Sequence, residues 1–510
     1  MTTPTNKNDP SSSKVANSSD GLRNRANEQG RPQSQQWSRL LVLCIAVALG
    51  GVVTARALCP DVAWLSRQHI DLLCSVPSSL LNGWHAAPNT MSNGTHEFRE
   101  TMILISVDGL RQEYLERGLT PHLLEMSKTG LRADYLNPIF PTLTFPNHWT
   151  LMTGLWAESH GLVANKIFDP ATKKVWLPTK KESFEPEWWF GEPMWETAQK
   201  AGLKTADIMW PGPRTSQSGA TPTYSVPFNF SYPIDAKLDR ILEWMDMPIE
   251  ERPQLITMYE PSLDNSGHET GPHSLRTNQT LAKIDSWAGN LTASLQARNL
   301  SDIVNVVILS DHGMADTSAP ELIYMDEILG EDFVTIEYID GWPSMGLHLF
   351  PEANASRILE KLYAAEDPTK FEVFTRETMP ARRHYANNPR IAPIFITPHL
   401  GYALTTTVLN GTEISVGNHG WDNIYPDLRA VFLTQGPFAE RMKTKAAAYA
   451  SGSPRSDSDL WQSTKGSGSD GYVMTNFNNI EIYNLAMHML GIQDRAASNN
   501  GTVGFWDAYV

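Results

Sequence analysis

IVNVVILSDHG, residues 303–313, is a short apolar run rich in β-branched side chains that stops at Asp311-His312-Gly313. Two other stretches are built the same way. MILISVDG at 102–109 stops at Asp108-Gly109, and LITMYEPSLDNSGH at 255–268 passes from strand-type residues into Asp264 and His268. Short runs that are apolar at nearly every position suit strands covered on both faces. Between them lie segments of helical character, Met194–Ala201 and Gln279–Ala297. Strand and helix in alternation predict an α/β fold, a mainly parallel sheet with helices on both sides. In such a sheet ligands gather outside the carboxyl ends of the strands. The groups that end the three runs are therefore predicted to share one cleft.

Their spacing suits metal binding. Asp264 and His268 are four apart, so a helical turn puts them on one face, where both can hold one ion. Asp311 and His312 are adjacent at a strand exit, where a turn can direct both inward. His419, in Asn418-His419-Gly420-Trp421, is a further candidate next to a glycine that permits close backbone approach. A mixed His/carboxylate set suits Zn²⁺ first, with Mn²⁺ or iron as alternatives, whereas Ca²⁺ prefers an all-oxygen shell. Paired metals recur where phosphoryl groups are transferred. Such chemistry needs a nucleophile, and Pro141-Thr142-Leu143-Thr144-Phe145-Pro146-Asn147-His148 offers two hydroxyls. A threonine becomes a competent nucleophile only when a metal or base activates it. The competing reading is a turn whose threonines cap backbone groups.

Composition frames these motifs. The chain has 510 residues, 41% hydrophobic and 19% charged, enough to bury a large core. A net charge of −15 excludes a binder of duplex nucleic acid, which needs a basic face. It does not exclude a small phosphorylated substrate, because bound cations reverse the local field. Residues 1–36 are Ser-, Asn- and Gln-rich and predict a disordered cytosolic tail. Leu40–Ala55 is apolar, and with Trp37 and flanking residues to 57 it is expected to form a transmembrane signal anchor. A cleaved signal peptide ending near Ala55-Arg56-Ala57 and a buried core helix compete with that reading. The type II reading puts a 58–98 stalk and a 99–505 catalytic body on the luminal or extracellular side. N-x-S/T sequons at Asn93, Asn229, Asn278, Asn290, Asn299, Asn354, Asn410 and Asn500 would carry N-glycans there. Cys59 and Cys74 form one bridge or remain free thiols. Residues 320–410 are expected to be an insertion bordering the cleft, in which Tyr338, Trp342 and Pro343 shape specificity or pack the surface. Ser451–Asp470 reads as a low-complexity surface loop.

Five blocks together resemble the nucleotide pyrophosphatase/phosphodiesterases of the alkaline phosphatase superfamily. They are VDGLR (107–111), FPTLTFPNHWTLMTGLWAESHGLVANKIFDP (140–170), YEPSLDNSGHETGP (259–272), LSDHGM (309–314) and GNHGWDN (417–423). FNNIEIYNLAMHMLGI and the NNGT that follows, within 477–502, resemble the same family. The resemblance implies an alkaline-phosphatase-like fold and two Zn²⁺ ions. It implies that Asp264, His268 and His419 hold one ion, and that Asp108, Asp311, His312 and the Thr144 oxygen hold the other. Thr144 is then the nucleophile that becomes nucleotidylated. Asn165, with a backbone N–H near Phe145, is the group that binds a phosphoryl oxygen. Phe145 and Tyr259 are the pair expected to stack a nucleobase, although packing would also account for aromatics there. The products are nucleoside 5′-monophosphates.

The cysteine-rich modules and nuclease-like domain of many animal relatives have no counterpart in this sequence, which reads as a bare catalytic domain on an anchor. The family also contains lipid-cleaving members, so the motifs leave the substrate open. A sulfatase would need C/S-x-P-x-R at the nucleophile and an alkaline phosphatase a D-S-A context, and neither stands there. A non-catalytic surface protein on a decayed enzyme predicts lost ligands, yet all seven candidate positions are filled.

Overall fold

The computed structural model describes residues 90–450, 461–462 and 473–509. The expected tail, the apolar run, both outer cysteines and most of the stalk lie outside them. Among the described residues no helix is long and apolar enough to cross a membrane.

The central sheet has nine strands: β1 Thr101–Val107, β2 Leu131–Ala133, β3 Thr205–Ile208, β4 Tyr224–Val226, β5 Leu255–Glu260, β6 Val304–Leu309, β7 Phe432–Gln435, β8 Trp461–Gln462 and β9 Val473–Met474. Their order across the sheet is β8-β9-β2-β7-β6-β1-β5-β3-β4. Strands β6, β1, β5, β3 and β4 are mutually parallel, while β7 runs antiparallel beside β6. The three runs that opened the sequence are thus the adjacent central strands β6, β1 and β5, which carries their ligand residues to one edge.

Alternation along β1 shows why the sheet is covered twice. Met102 and Leu104 enter one core with Trp149 and Leu151 of the helix Thr144–Thr153 and Leu485 of the helix Ile482–Met489. Ile103, Ile105 and Val107 enter the other with Ile241 of Ile234–Met245 and Leu281 and Leu291 of Leu275–Ala297. Burying each such side chain contributes roughly 2 kcal/mol against leaving it in water. The helix expected over Gln279–Ala297 starts earlier, at Leu275, because Ser274 caps it: its hydroxyl accepts from the Thr277 N–H at 3.1 Å. The helix expected over Met194–Ala201 spans Met194–Lys200. Within the expected 451–470 loop, Trp461–Gln462 instead pairs antiparallel with Val473–Met474 at the sheet edge; the rest of that stretch lies outside the described residues.

Between β6 and β7 the chain builds a second, antiparallel sheet from Ile336–Asp340, Met345–Leu349, Phe371–Thr375 and Ile394–Pro398. It has its own core, including Leu347, Ile358, Leu362 and Ile396. Two residues with open roles pack here: Tyr338 stacks on Phe168 at 5.1 Å, and Trp342 meets Trp421 edge-on at 5.6 Å.

Candidate active site

Each central strand delivers its ligand group at its carboxyl end. Asp108 follows β1, and Asp311 and His312 follow β6; all three are buried. After β5 the chain turns directly into the helix Ser262–Thr270, which carries Asp264 in its first turn and His268 in its last. His419 arrives from 107 residues beyond His312, on a strand pair in which Gly417–Asn418 binds Ala315–Asp316 antiparallel. Asp264, His268 and His419 bring ligand atoms within 4.8 Å of one another, and Asp108, Asp311 and His312 do the same.

The hydrogen bonds behind these histidines decide which nitrogens face the cleft. His268 Nδ1 lies 2.7 Å from the Gly417 carbonyl, His419 Nδ1 2.9 Å from that of Thr142, and His312 Nδ1 2.9 Å from that of Gly313. A carbonyl only accepts, so each Nδ1 carries the proton and each Nε2 presents a lone pair. His268 Nε2 and His419 Nε2 then face each other at 3.1 Å with no proton between them. Asp108 Oδ1, Asp264 Oδ1 and Asp311 Oδ2 are likewise buried without a hydrogen-bond donor. Opposed lone pairs and unpaired buried carboxylate oxygens fit cations held between them.

The electrostatics agree. Burial, reinforced by the charges of Asp311 and Asp264, holds the Asp108 carboxyl well above the usual range. Burial also raises Asp264. At Asp311 burial acts upward but is outweighed by His312 and His148, which hold it well below the usual range. Burial, with His312 and His268 adding to it, holds His419 well below a normal imidazole. Asp311 in turn raises His312 against the effect of burial. Three carboxylates crowded into a buried site repel one another unless a cation lies between them.

Thr144 opens the helix Thr144–Thr153, and its hydroxyl lies 3.3 Å from His312 Nε2. The turn before it is pinned by Asn147, whose side chain accepts from the Ile139 N–H and donates to the carbonyls of Pro141 and Leu143. Asn165 Oδ1 accepts from the Phe145 N–H at 3.1 Å, so the amide expected to bind phosphate sits beside the nucleophile. A cavity of about 490 Å³ joins Thr144, Asp108 and Asp264 to an aromatic wall containing Phe145, Trp210, Phe228 and Phe230.

Tyr259 lines the same cavity, its ring centroid 6.3 Å from that of Phe228, but most of the ring is turned inward. Its ring is buried edge-on against His148, and its hydroxyl donates to Asp108 Oδ2 at 2.5 Å. The exposed rings in the cavity that Phe145 lines are Phe228 and Phe230, 49% and 73% exposed. Sequence reading missed both; they follow β4, another parallel strand whose carboxyl end reaches the same edge. Also missed was the clamp on the His419 loop. Asp422 accepts from Arg382 (2.6 and 2.7 Å) and from the buried Arg383 (2.6 and 2.9 Å), tying that loop to the inserted sheet. Asp422→Ala strands the Arg383 charge and is expected to cost about 3 kcal/mol. Denaturant unfolding and turnover read the effect, and both should fall. Unchanged values would mean that the His419 loop is held by other contacts.

Fold and site together define a metal-dependent hydrolase that works on phosphorylated substrates at the carboxyl edge of an α/β sheet. Residues 102–422 match the type I phosphodiesterase/nucleotide pyrophosphatase family, and the chain belongs to it. It is 36% identical to an uncharacterized pyrophosphatase/phosphodiesterase of Schizosaccharomyces pombe over 81% of each chain. It is 32% identical to human ectonucleotide pyrophosphatase/phosphodiesterase family member 1 over 79% of this chain, a match that spans only 41% of that protein. Among solved structures, human ectonucleotide pyrophosphatase/phosphodiesterase 5 superposes with a TM-score of 0.68 at 29% identity, covering 80% of this chain and 99% of that one. An inactive threonine-to-alanine variant of the murine protein, in complex with AMP, gives 0.67 at 27% identity over 79% and 98%.

Proposed function

We propose that this chain is a two-zinc hydrolase that cleaves phosphodiester and pyrophosphate bonds of nucleotides through a covalent nucleotidyl intermediate on Thr144, releasing nucleoside 5′-monophosphates. The observation that carries the reading is the single cavity running from the Thr144 hydroxyl to the aromatic wall. It can seat a phosphoryl group at one end and a base at the other. The AMP bound by the murine neighbour supports a nucleotide ligand, and that neighbour's inactive threonine variant supports a threonine nucleophile. Zinc is favoured over calcium by the imidazoles in each triad.

Asp264, His268 and His419 would hold one ion and Asp108, Asp311, His312 and Thr144 the other. When bound, these cations lower the pKa of the threonine hydroxyl and neutralise charge on the phosphoryl oxygens. Thr144 Oγ1 loses its proton to solvent water and bonds to phosphorus as the bond to the leaving oxygen breaks; that oxygen departs with the electron pair and is free to take up a proton from water. Asn165 Nδ2, and the Phe145 N–H once released from Asn165 Oδ1, would donate to the phosphoryl oxygen that gains charge. Water then cleaves the bond between Thr144 Oγ1 and phosphorus, freeing the nucleotide and restoring the hydroxyl. The expected membrane span lies outside the described residues, the sequon asparagines lie within them, and no step depends on the span or on N-glycans.

The test uses the purified full chain with three chromogenic substrates. The p-nitrophenyl ester of thymidine 5′-monophosphate should be cleaved far better than p-nitrophenyl phosphate or p-nitrophenyl phosphorylcholine. Preference for the monoester would move the chain to the phosphatase branch. Preference for the choline ester would move it to the lipid-cleaving branch.

A further inference from the structure

The cavity wall contains one basic residue, Arg214. It stands at the end of Trp210-Pro211-Gly212-Pro213-Arg214, the segment that leaves the carboxyl end of β3. Its two prolines restrict the backbone that carries the arginine. The side chain is exposed, and among the described residues it makes no hydrogen bond or ion pair. A guanidinium left unpaired beside exposed aromatic rings has its five donors free for a ligand.

The other charged groups on the wall do not compete for this role. Asp108 and Asp264 belong to the metal triads. Asp207 is already used by the protein: its carboxylate accepts from the Trp210 N–H at 3.1 Å, from Thr257 Oγ1 at 3.3 Å and from Ser225 Oγ at 3.4 Å. It holds the start of the Arg214 segment in place. Burial pushes Asp207 up to about 7, with Arg214 acting in the opposite direction, so the guanidinium lies within electrostatic reach of the wall. The wall therefore offers a strong donor and no free carboxylate acceptor of its own.

We propose that Arg214 reads the base of the bound nucleotide, donating through its fork to the adjacent acceptors O6 and N7 of guanine and so favouring guanosine over adenosine substrates. The inference rests on the nucleotide reading of the cavity. Guanine presents two neighbouring acceptors on that edge, whereas adenine places an N6 donor where O6 would be. The planar fork of arginine matches the guanine pair, and its face can also lie against an aromatic ring. An adenine would oppose donor to donor at the same place.

The experiment compares kcat/KM for the p-nitrophenyl esters of guanosine and adenosine 5′-monophosphate in the full chain and in two variants. The expected guanosine-to-adenosine ratio is about tenfold or more in the unaltered chain. It should fall towards one in Arg214→Ala and equally in Arg214→Asp, neither of which presents donors to the guanine edge. Because the readout is a ratio within one preparation, partial misfolding cancels. A ratio near one in the unaltered chain, or one that Arg214→Ala leaves intact, overturns the inference while the nucleotide reading stands. An equal loss on both esters in the variants also overturns it, by assigning Arg214 to a part of the substrate that the two share. Cleavage of neither ester would bring down the nucleotide reading itself.

Discussion

Thr144→Ala is expected to leave the chain folded and able to bind metal while lowering turnover of a nucleotide p-nitrophenyl ester by about four orders of magnitude or more. The hydroxyl contacts His312 Nε2 at 3.3 Å and supports no other side chain. The helix it opens is held independently by the Asn147 bonds before it and by Gly154, which closes its far end in the left-handed region. Removing one oxygen therefore deletes the bond-forming atom and little else. Thr144→Ser keeps that atom and should retain measurable turnover, while a rapid burst of nitrophenol in the parent chain would report the intermediate. AMP binding should survive in the alanine variant, in keeping with the inactive murine neighbour complexed with AMP. Full activity without the hydroxyl would end the covalent mechanism.

Removal of metal should have an effect of similar size on activity and a second effect on stability. Three carboxylates, Asp108, Asp264 and Asp311, are buried around the cleft, and each has an oxygen with no donor. Without cations those charges repel one another in a dry site. A ligand that binds only the folded state adds stability in proportion to the logarithm of its concentration over its dissociation constant. Dialysis against a chelator is expected to abolish turnover and to lower the thermal midpoint by on the order of 10 °C. Zn²⁺ should restore both, with metal analysis approaching two ions per chain. A chelated chain that kept its midpoint and its activity would show that the two triads are not metal sites.

How much of this was legible in the sequence follows from the range of the forces involved. Strand runs are read from local composition, and the rule that ligands gather at carboxyl ends makes Asp108, Asp311 and His312 visible together. The i to i+4 spacing of Asp264 and His268 is likewise local, because one helical turn sets it. The role of Tyr259 was not legible. Whether an aromatic ring faces a cavity or a buried carboxylate depends on its neighbours, and here Asp108 and His148 claim it. Phe228 and Phe230 follow a three-residue strand whose membership in the sheet no run of apolar residues announces.

The α/β architecture, the family and the two groupings of His and carboxylate residues were legible in the sequence, since each rests on short patterns whose physics is complete within a few residues. Tertiary contacts alone settled that Arg382 and Arg383 hold the His419 loop through Asp422, and which rings line the cavity. Those outcomes depend on contacts between segments forty residues apart, or on which side of a ring is left open, and chain-local patterns carry neither.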